Sequence, residues 1–182
     1  CGRLCLPVTF VILMFTWLEL VAHASAAELP WIGVSKDKPH FVHTGTTTQF
    51  IPWGFNYDHD VEGRLLEDYW DADWDKVELH FAQMKRLGAN VVRIHLQVGK
   101  FLVAPDQPNE KSLERLSKLI TLAERTGLYL DVTGLGCYHK QDVPAWYDNL
   151  SESERWAAQA FFWRAIARQC ANSPAIFCYD LM

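Results

Sequence analysis

Arg93, His95 and Gln97 occupy alternate positions of an apolar run, with Val92, Ile94 and Leu96 at the positions between them. In a strand, successive side chains face opposite sides, so the aliphatic set would meet a layer of helices and the polar set would face an interior. An unpaired charge in such an interior is very costly, so Arg93 needs a partner. Two fit: a carboxylate at the mouth of a site, or Asp131 on a later strand in a purely structural role. A second cluster, Asn56-Tyr57-Asp58-His59-Asp60, reads either as a substrate-binding loop or as a hydrophilic turn with Asn and Asp in their usual places. A third lies in the loop from Gly134 to Tyr147, which is long enough to line a cleft and carries Tyr138, His139, Asp142, Trp146 and Tyr147. Aromatic faces suit the C–H faces of sugar rings, and His139 and Asp142 suit hydroxyls. Each aromatic taken singly reads first as a core residue; the cluster is the stronger signal.

The elements that must position these residues repeat. Strand-like runs at Phe50–Phe55, Asn90–Leu96, Leu128–Thr133 and Ala175–Met182 alternate with segments of helical period. The first helix is capped by Asp73, carries Trp74, Val77, Phe81, Met84 and Leu87 on one face, and stops at Gly88. The second carries Leu113, Leu116, Leu119, Ile120 and Ala123 and stops at Gly127. The third opens on a capping box, Ser151 with Glu154, carries Trp156, Phe161 and Ile166, and ends before Asn172 and Pro174. Strand and helix in alternation predict a parallel sheet, because each parallel pair needs a crossover. The turn after the first strand, Gly54 to Asp60, lacks the glycine-rich phosphate loop of a doubly wound fold. The expected fold is therefore α/β, a (β/α)₈ TIM barrel reduced to about its first four βα units. A short N-terminal hairpin, Phe41–His43 with Gln49–Ile51, is expected to cover one end. A closed barrel takes about 250 residues, more than the 182 present, and the last strand has no helix to cover it, so the chain reads as part of a longer domain. Such a half barrel would expose two unpaired strand edges and pair or aggregate in isolation.

Residues 1–26 are of another kind: Arg3, then an apolar run from Leu4 to Leu18, then Ala24-Ser25-Ala26. That order is a secretory signal with cleavage after Ala26, which leaves 27–182 as the barrel portion and an extracytoplasmic protein. About 15 apolar residues ending at Glu19 fall short of the roughly 20 that span a bilayer, so no stable membrane anchor is expected. A net charge of -5 without a Lys/Arg block excludes an electrostatic grip on nucleic acid. Cys1 and Cys5 leave with the signal, and Cys137, Cys170 and Cys178 remain, with no CxxC pair; one disulfide is possible, while Cys178, inside an apolar run, reads as a buried thiol. No cofactor motif is present and no metal framework is visible. Asp58, Asp60, His95 and His139 have the types but not the spacing of metal ligands, which keeps a metal-dependent hydrolase of the same barrel shape as a rival.

Gly54-Phe-Asn56 after a short apolar strand, the stretch Met84 to His95, Gly127 to Val132 and the ending Tyr179-Asp-Leu-Met182 together resemble the N-terminal half of glycoside hydrolase family 5, the cellulase and mannanase superfamily of retaining barrel glycosidases. The resemblance implies a β-linked polysaccharide or oligosaccharide as substrate, no cofactor, and a pair of glutamates about 5 Å apart, one of them forming a covalent glycosyl intermediate. In the family, the pattern like Tyr179–Met182 runs on into Asn-Glu-Pro, whose Glu is the acid/base; neither glutamate would lie within these residues. Arg93 matches the family's arginine that holds the nucleophile ionised. Asn56, Tyr57, Asp58, His95, Tyr138, His139 and Trp146 are then the substrate-binding candidates. One departure stands out: the family's third strand commonly ends Asp-x-His, whereas here Thr133 follows Asp131-Val132, and His139 is the candidate to replace the histidine. That departure also motivates a second reading, a barrel that binds carbohydrate without cleaving it.

Overall fold

A computed structural model describes residues 29–181; the leader sequence read from residues 1–26 and the final Met182 lie outside it. In chain order the described elements are β1 (Ile32–Val34), β2 (Phe41–His43), β3 (Gln49–Phe50), β4 (Gly54–Asn56), α1 (Leu66–Tyr69), α2 (Trp74–Arg86), β5 (Val91–Gln97), α3 (Val98–Phe101), β6 (Leu102–Ala104), β7 (Gln107–Pro108), α4 (Glu110–Thr126), β8 (Tyr129–Gly136), α5 (Ala145–Asp148), α6 (Glu152–Cys170) and β9 (Ile176–Leu181). β4, β5, β8 and β9 form a parallel sheet in that order. Helices α2, α4 and α6 make the crossovers, so each strand lies beside its predecessor as barrel strands do.

The run Phe50–Phe55, expected as one strand, divides between two sheets. Phe50 ends the antiparallel sheet β1–β2–β3, and Gly54 begins the parallel one. Pro52 has no N–H to give to a ladder, so pairing stops there. Asn90 holds the junction: its Oδ1 accepts from the Trp53 amide at 2.7 Å and its Nδ2 donates to the Ile51 carbonyl at 2.8 Å.

Two apolar layers result. Val92, Ile94 and Leu96 of β5 and Leu130 and Val132 of β8 pack against Val77 and Phe81 of α2, Leu116 and Leu119 of α4, and Phe162 and Ile166 of α6. The second layer lies at the base, where Phe50 meets Val91, Tyr129 and Phe177. The Phe50 and Tyr129 rings are 5.0 Å apart, Phe41 and Phe177 likewise, and the Tyr129 hydroxyl donates to the Pro30 carbonyl at 2.6 Å. The N-terminal hairpin, with β1 added to it, thus closes the strand starts. Burying Phe50 alone is worth about 2 kcal/mol.

The helix boundaries follow local chemistry. Gly88 and Gly127 have φ of 90° and 69°, which end α2 and α4 at the residues expected. Ser151 and Glu154 form the capping box on α6, with the Ser151 amide donating to Glu154 Oε2 at 2.8 Å. Three residues behave otherwise. Asp73 sits at the N-cap of α2 but makes no side-chain cap bond; its carboxylate is held by Arg64 Nη2 at 3.2 Å instead. Leu87 and Trp156, read as core, are exposed, and α6 buries Ala158, Phe162, Ile166 and Cys170.

Candidate active site

Strand register assembles the site. Asn56 on β4 lies beside Arg93 on β5, Arg93 beside Asp131 on β8, and Asp131 beside Cys178 on β9. Two residues further along, His95 lies beside Thr133 and Thr133 beside Asp180. Alternation sends both rows to the face away from the helices. A bulge on β9 makes this possible: Leu130 pairs with Ile176 but Asp131 with Cys178, so Phe177 is the extra residue. Phe177 thereby fills the base while Cys178 and Asp180 stay in the inward rows.

Arg93 is the hub. Its Nε donates to Thr133 Oγ1 at 2.8 Å and lies 3.7 Å from Asp131 Oδ2, and its Nη2 donates to Asp180 Oδ2. The Thr133 hydroxyl in turn donates to Asp180 Oδ2 at 3.3 Å. Burial alone would lower the affinity of Arg93 for its proton, but the Asp180 and Asp131 carboxylates outweigh it and hold the group above its ordinary value. Both partners anticipated for Arg93 are therefore present, a mouth carboxylate and Asp131. Asp180 itself was not singled out from the sequence, although it is a charged residue in an apolar run and two positions from Cys178. Cys178 donates its thiol to Asp131 Oδ1 at 3.3 Å, and Cys137, Cys170 and Cys178 are all free.

The loop after β4 separates its residues. Asn56 stays exposed beside Arg93. Tyr57, expected to contact substrate, is buried on the helix side: its amide donates to the Arg93 carbonyl at 2.7 Å, which prolongs the ladder and turns the ring toward Phe81, and its hydroxyl meets His80 Nδ1 at 2.9 Å. Asp58 remains at the mouth, where it accepts from the His59 amide at 3.1 Å and its charge is felt by both His95 and Tyr138. Asp60 is buried and engaged by Lys76 Nζ at 2.9 Å, Arg64 Nε at 2.9 Å and the amides of Glu62 and Arg64. Burial raises its pKa, but these donors prevail and hold it well below the carboxylate range. It stitches the loop rather than facing a ligand, and no Asp58–Asp60 pair forms. Among the described residues no three His, Cys, Asp or Glu side chains converge as metal ligands would.

His95, expected as a sugar contact, is only 3% exposed. Its Nδ1 is hydrogen-bonded to the Tyr138 hydroxyl, with the two rings 5.0 Å apart, and burial, then the Arg93 charge, lower its pKa, so the ring is neutral near pH 7. His139 does not reach Arg93 or take the place of Thr133: its Nδ1 is 3.1 Å from Asp142 Oδ2 within the loop. Trp146 packs on the main core, edge-on to Tyr147 at 5.8 Å. Gln97, read only as an inward residue, proves central, since its Oε1 accepts from the Tyr138 amide at 3.1 Å and its own amide donates to Glu67 Oε1 at 2.9 Å. Glu67 is buried, and that burial pushes its carboxyl up to about 7. An open cluster of this kind at the C-terminal ends of parallel strands is where barrel enzymes bind and transform ligands.

No curated protein matches the chain. Among solved structures it is similar to a GH5_18 protein from Streptomyces cattleya in complex with GlcNAc, at 23% identity and a TM-score of 0.61 over 70% of this chain and 32% of that one. It is also similar to a GH5_18 protein from Bifidobacterium longum subsp. longum in complex with Manb1-4GlcNAc (19%, TM-score 0.61, 72% and 33% covered). A third is the exo-beta-1,4-mannosidase Op5Man5 from Opitutaceae bacterium strain TAV5 (22%, TM-score 0.58, 73% and 25% covered). The described residues thus have the fold of part of a TIM barrel, and the chain spans a quarter to a third of the length of these structures. The family model Cellulase (glycosyl hydrolase family 5) matches residues 53–182, every parallel strand included, and the chain belongs to that family.

Proposed function

We propose that the complete protein hydrolyses O-glycosidic bonds in a β-linked polysaccharide or oligosaccharide through a retaining, two-glutamate mechanism. The observation that carries the proposal is the charged Arg93 fork, locked by Thr133 and Asp180 at the sheet's C-terminal end. A guanidinium has five N–H donors, so one already oriented by these partners can also hold a nucleophilic carboxylate ionised. In the first step that carboxylate attacks the anomeric carbon while a second carboxyl group protonates the departing oxygen; in the second, water displaces the enzyme carboxylate with the same group as base. Both glutamates would come from strand ends following the described residues, the first within an Asn-Glu-Pro after Met182. Asn56, Asp58 and Tyr138 would line the sugar site. The order of residues 1–26 supports export, and N-terminal sequencing of the secreted protein is expected to start at Ala27.

A β-mannoside is the first substrate to assay, with β-glucan second, because the solved neighbours include an exo-beta-1,4-mannosidase and a complex with Manb1-4GlcNAc. The full-length protein is expected to release reducing sugar from mannan or manno-oligosaccharides, and NMR of the first product should show the anomer of the substrate. Inverted product would overturn the retaining step. Binding without release would favour the carbohydrate-binding barrel, which Thr133 in the Asp-x-His position motivates. Loss of activity to a chelator would favour a metal-dependent hydrolase instead.

A further inference from the structure

Tyr138 belongs to a surface loop, yet both of its ends are fixed from below. Its amide donates to Gln97 Oε1 at 3.1 Å and its hydroxyl is bonded to His95 Nδ1. His95 and Gln97 are inward residues of one strand, 3% and 4% exposed, and two strand residues advance about 6.6 Å, close to the reach of a tyrosine from main chain to hydroxyl. The side chain therefore lies along the end of β5. Gly136 makes room for this clamp: it pairs with Gln97 across the ladder, and a Cβ there would stand 2.6 Å from Gln97 Nε2. The Gln97 main chain is fixed in turn, its backbone N–H donating to Glu67 Oε1 at 2.9 Å. Despite these anchors the residue remains 46% exposed, near enough to Asp58 to feel its charge.

We propose that Tyr138 is a rigid stacking platform for a pyranose ring, and that His95 and Gln97 are positioning residues that act on substrate through it. The proposal rests on the carbohydrate reading of the site. An aromatic face already held in place loses little conformational freedom when a sugar settles on it, which favours binding. The buried His95 takes no direct part in that contact.

The test uses the full-length protein with mannohexaose and cellohexaose. Tyr138→Ala is expected to raise KM about tenfold, several times more than kcat falls, and Tyr138→Phe, which keeps the ring and frees its edge, to raise KM about threefold. His95→Leu should match Tyr138→Phe and add nothing in the Tyr138→Phe background, because both remove one bond. An unchanged KM in Tyr138→Ala overturns the platform, and additive effects of the two substitutions overturn the positioning role. Should His95→Leu fail to fold, the Tyr138 pair still decides the platform. If the wild-type protein binds these sugars without cleaving them, the hydrolase reading fails while a tenfold weaker Kd in Tyr138→Ala upholds the platform; equal Kd values overturn it. Neither cleavage nor binding by the wild-type protein overturns both.

Discussion

Arg93→Lys in the full-length protein is expected to lower kcat/KM a hundredfold or more, on the order of 3 kcal/mol of transition-state stabilisation, with KM changed little. The reason is geometric. Arg93 spreads its donors over Thr133, Asp180 and, at 3.7 Å, Asp131, and in the proposed mechanism its charge also serves a further carboxylate. A lysine ammonium is a point charge on a flexible stem and cannot serve these directions at once. The nucleophile, deprived of its donor, would also gain affinity for a proton, so the acid limb of the pH–rate profile should move upward. Steady-state kinetics across pH read both effects. Activity within a few-fold of wild type, with an unmoved acid limb, would remove Arg93 from the mechanism.

Glu67→Gln is expected to flatten the pH dependence of stability. The carboxyl is buried and its pKa lies near 7 rather than at 4.5, with burial as the main cause and Asp68 adding to it; the Gln97 amide, its own amide and Lys100 pull the other way. Tyr69, on the same short helix, feels its charge. The folded chain thus holds a proton that the unfolded chain releases, and stability falls as pH rises from about 4.5 to about 7, then levels. The difference between those values amounts to about 3 kcal/mol. Glutamine keeps the carbonyl that accepts from Gln97 and never ionises, so the variant should be the more stable of the two at pH 8. Urea denaturation at pH 5 and pH 8 measures this; equal slopes for the two proteins would sink it. Asp60 acts in a separate window and with opposite sign, because its depressed pKa contributes stability that is lost only in acid.

Much of the architecture was legible because it rests on periodicity. The alternation of Val92, Ile94 and Leu96 with Arg93, His95 and Gln97 is a property of the chain itself, and so are the glycine stops and the capping box. The misses share a cause in tertiary context. Tyr57 is of a residue type suited to sugar contacts, but the ladder runs one residue past Asn56 and turns it to the core. Leu87 extends an apolar stripe, yet it is the C-cap of α2, where the helix is turning away. Trp156 was read as core and is exposed, because α6 buries the stripe Ala158, Phe162, Ile166 and Cys170 instead. Asp180 and Glu67 gave only a single carboxylate each to read; what distinguishes them is the guanidinium of Arg93 and the amide of Gln97, both supplied by a distant strand. The short pieces α1, β1 and the hairpin β6–β7 have too few residues for a period to show.

The order in which the basal cluster is synthesised also matters. Phe41 and Phe50 emerge early, whereas their neighbour Phe177 emerges near the end of the described residues, a lag of about ten seconds at ordinary rates of chain elongation. During that interval the three-stranded cap has Val91 and Tyr129 beneath Phe50 but lacks the Phe177 ring that Phe41 and Phe50 both meet. Docking of Phe177 is a long-range closure, of the kind that slows folding. The basal cap is therefore completed late in synthesis, at the opposite end of the strands from the residues that would handle substrate.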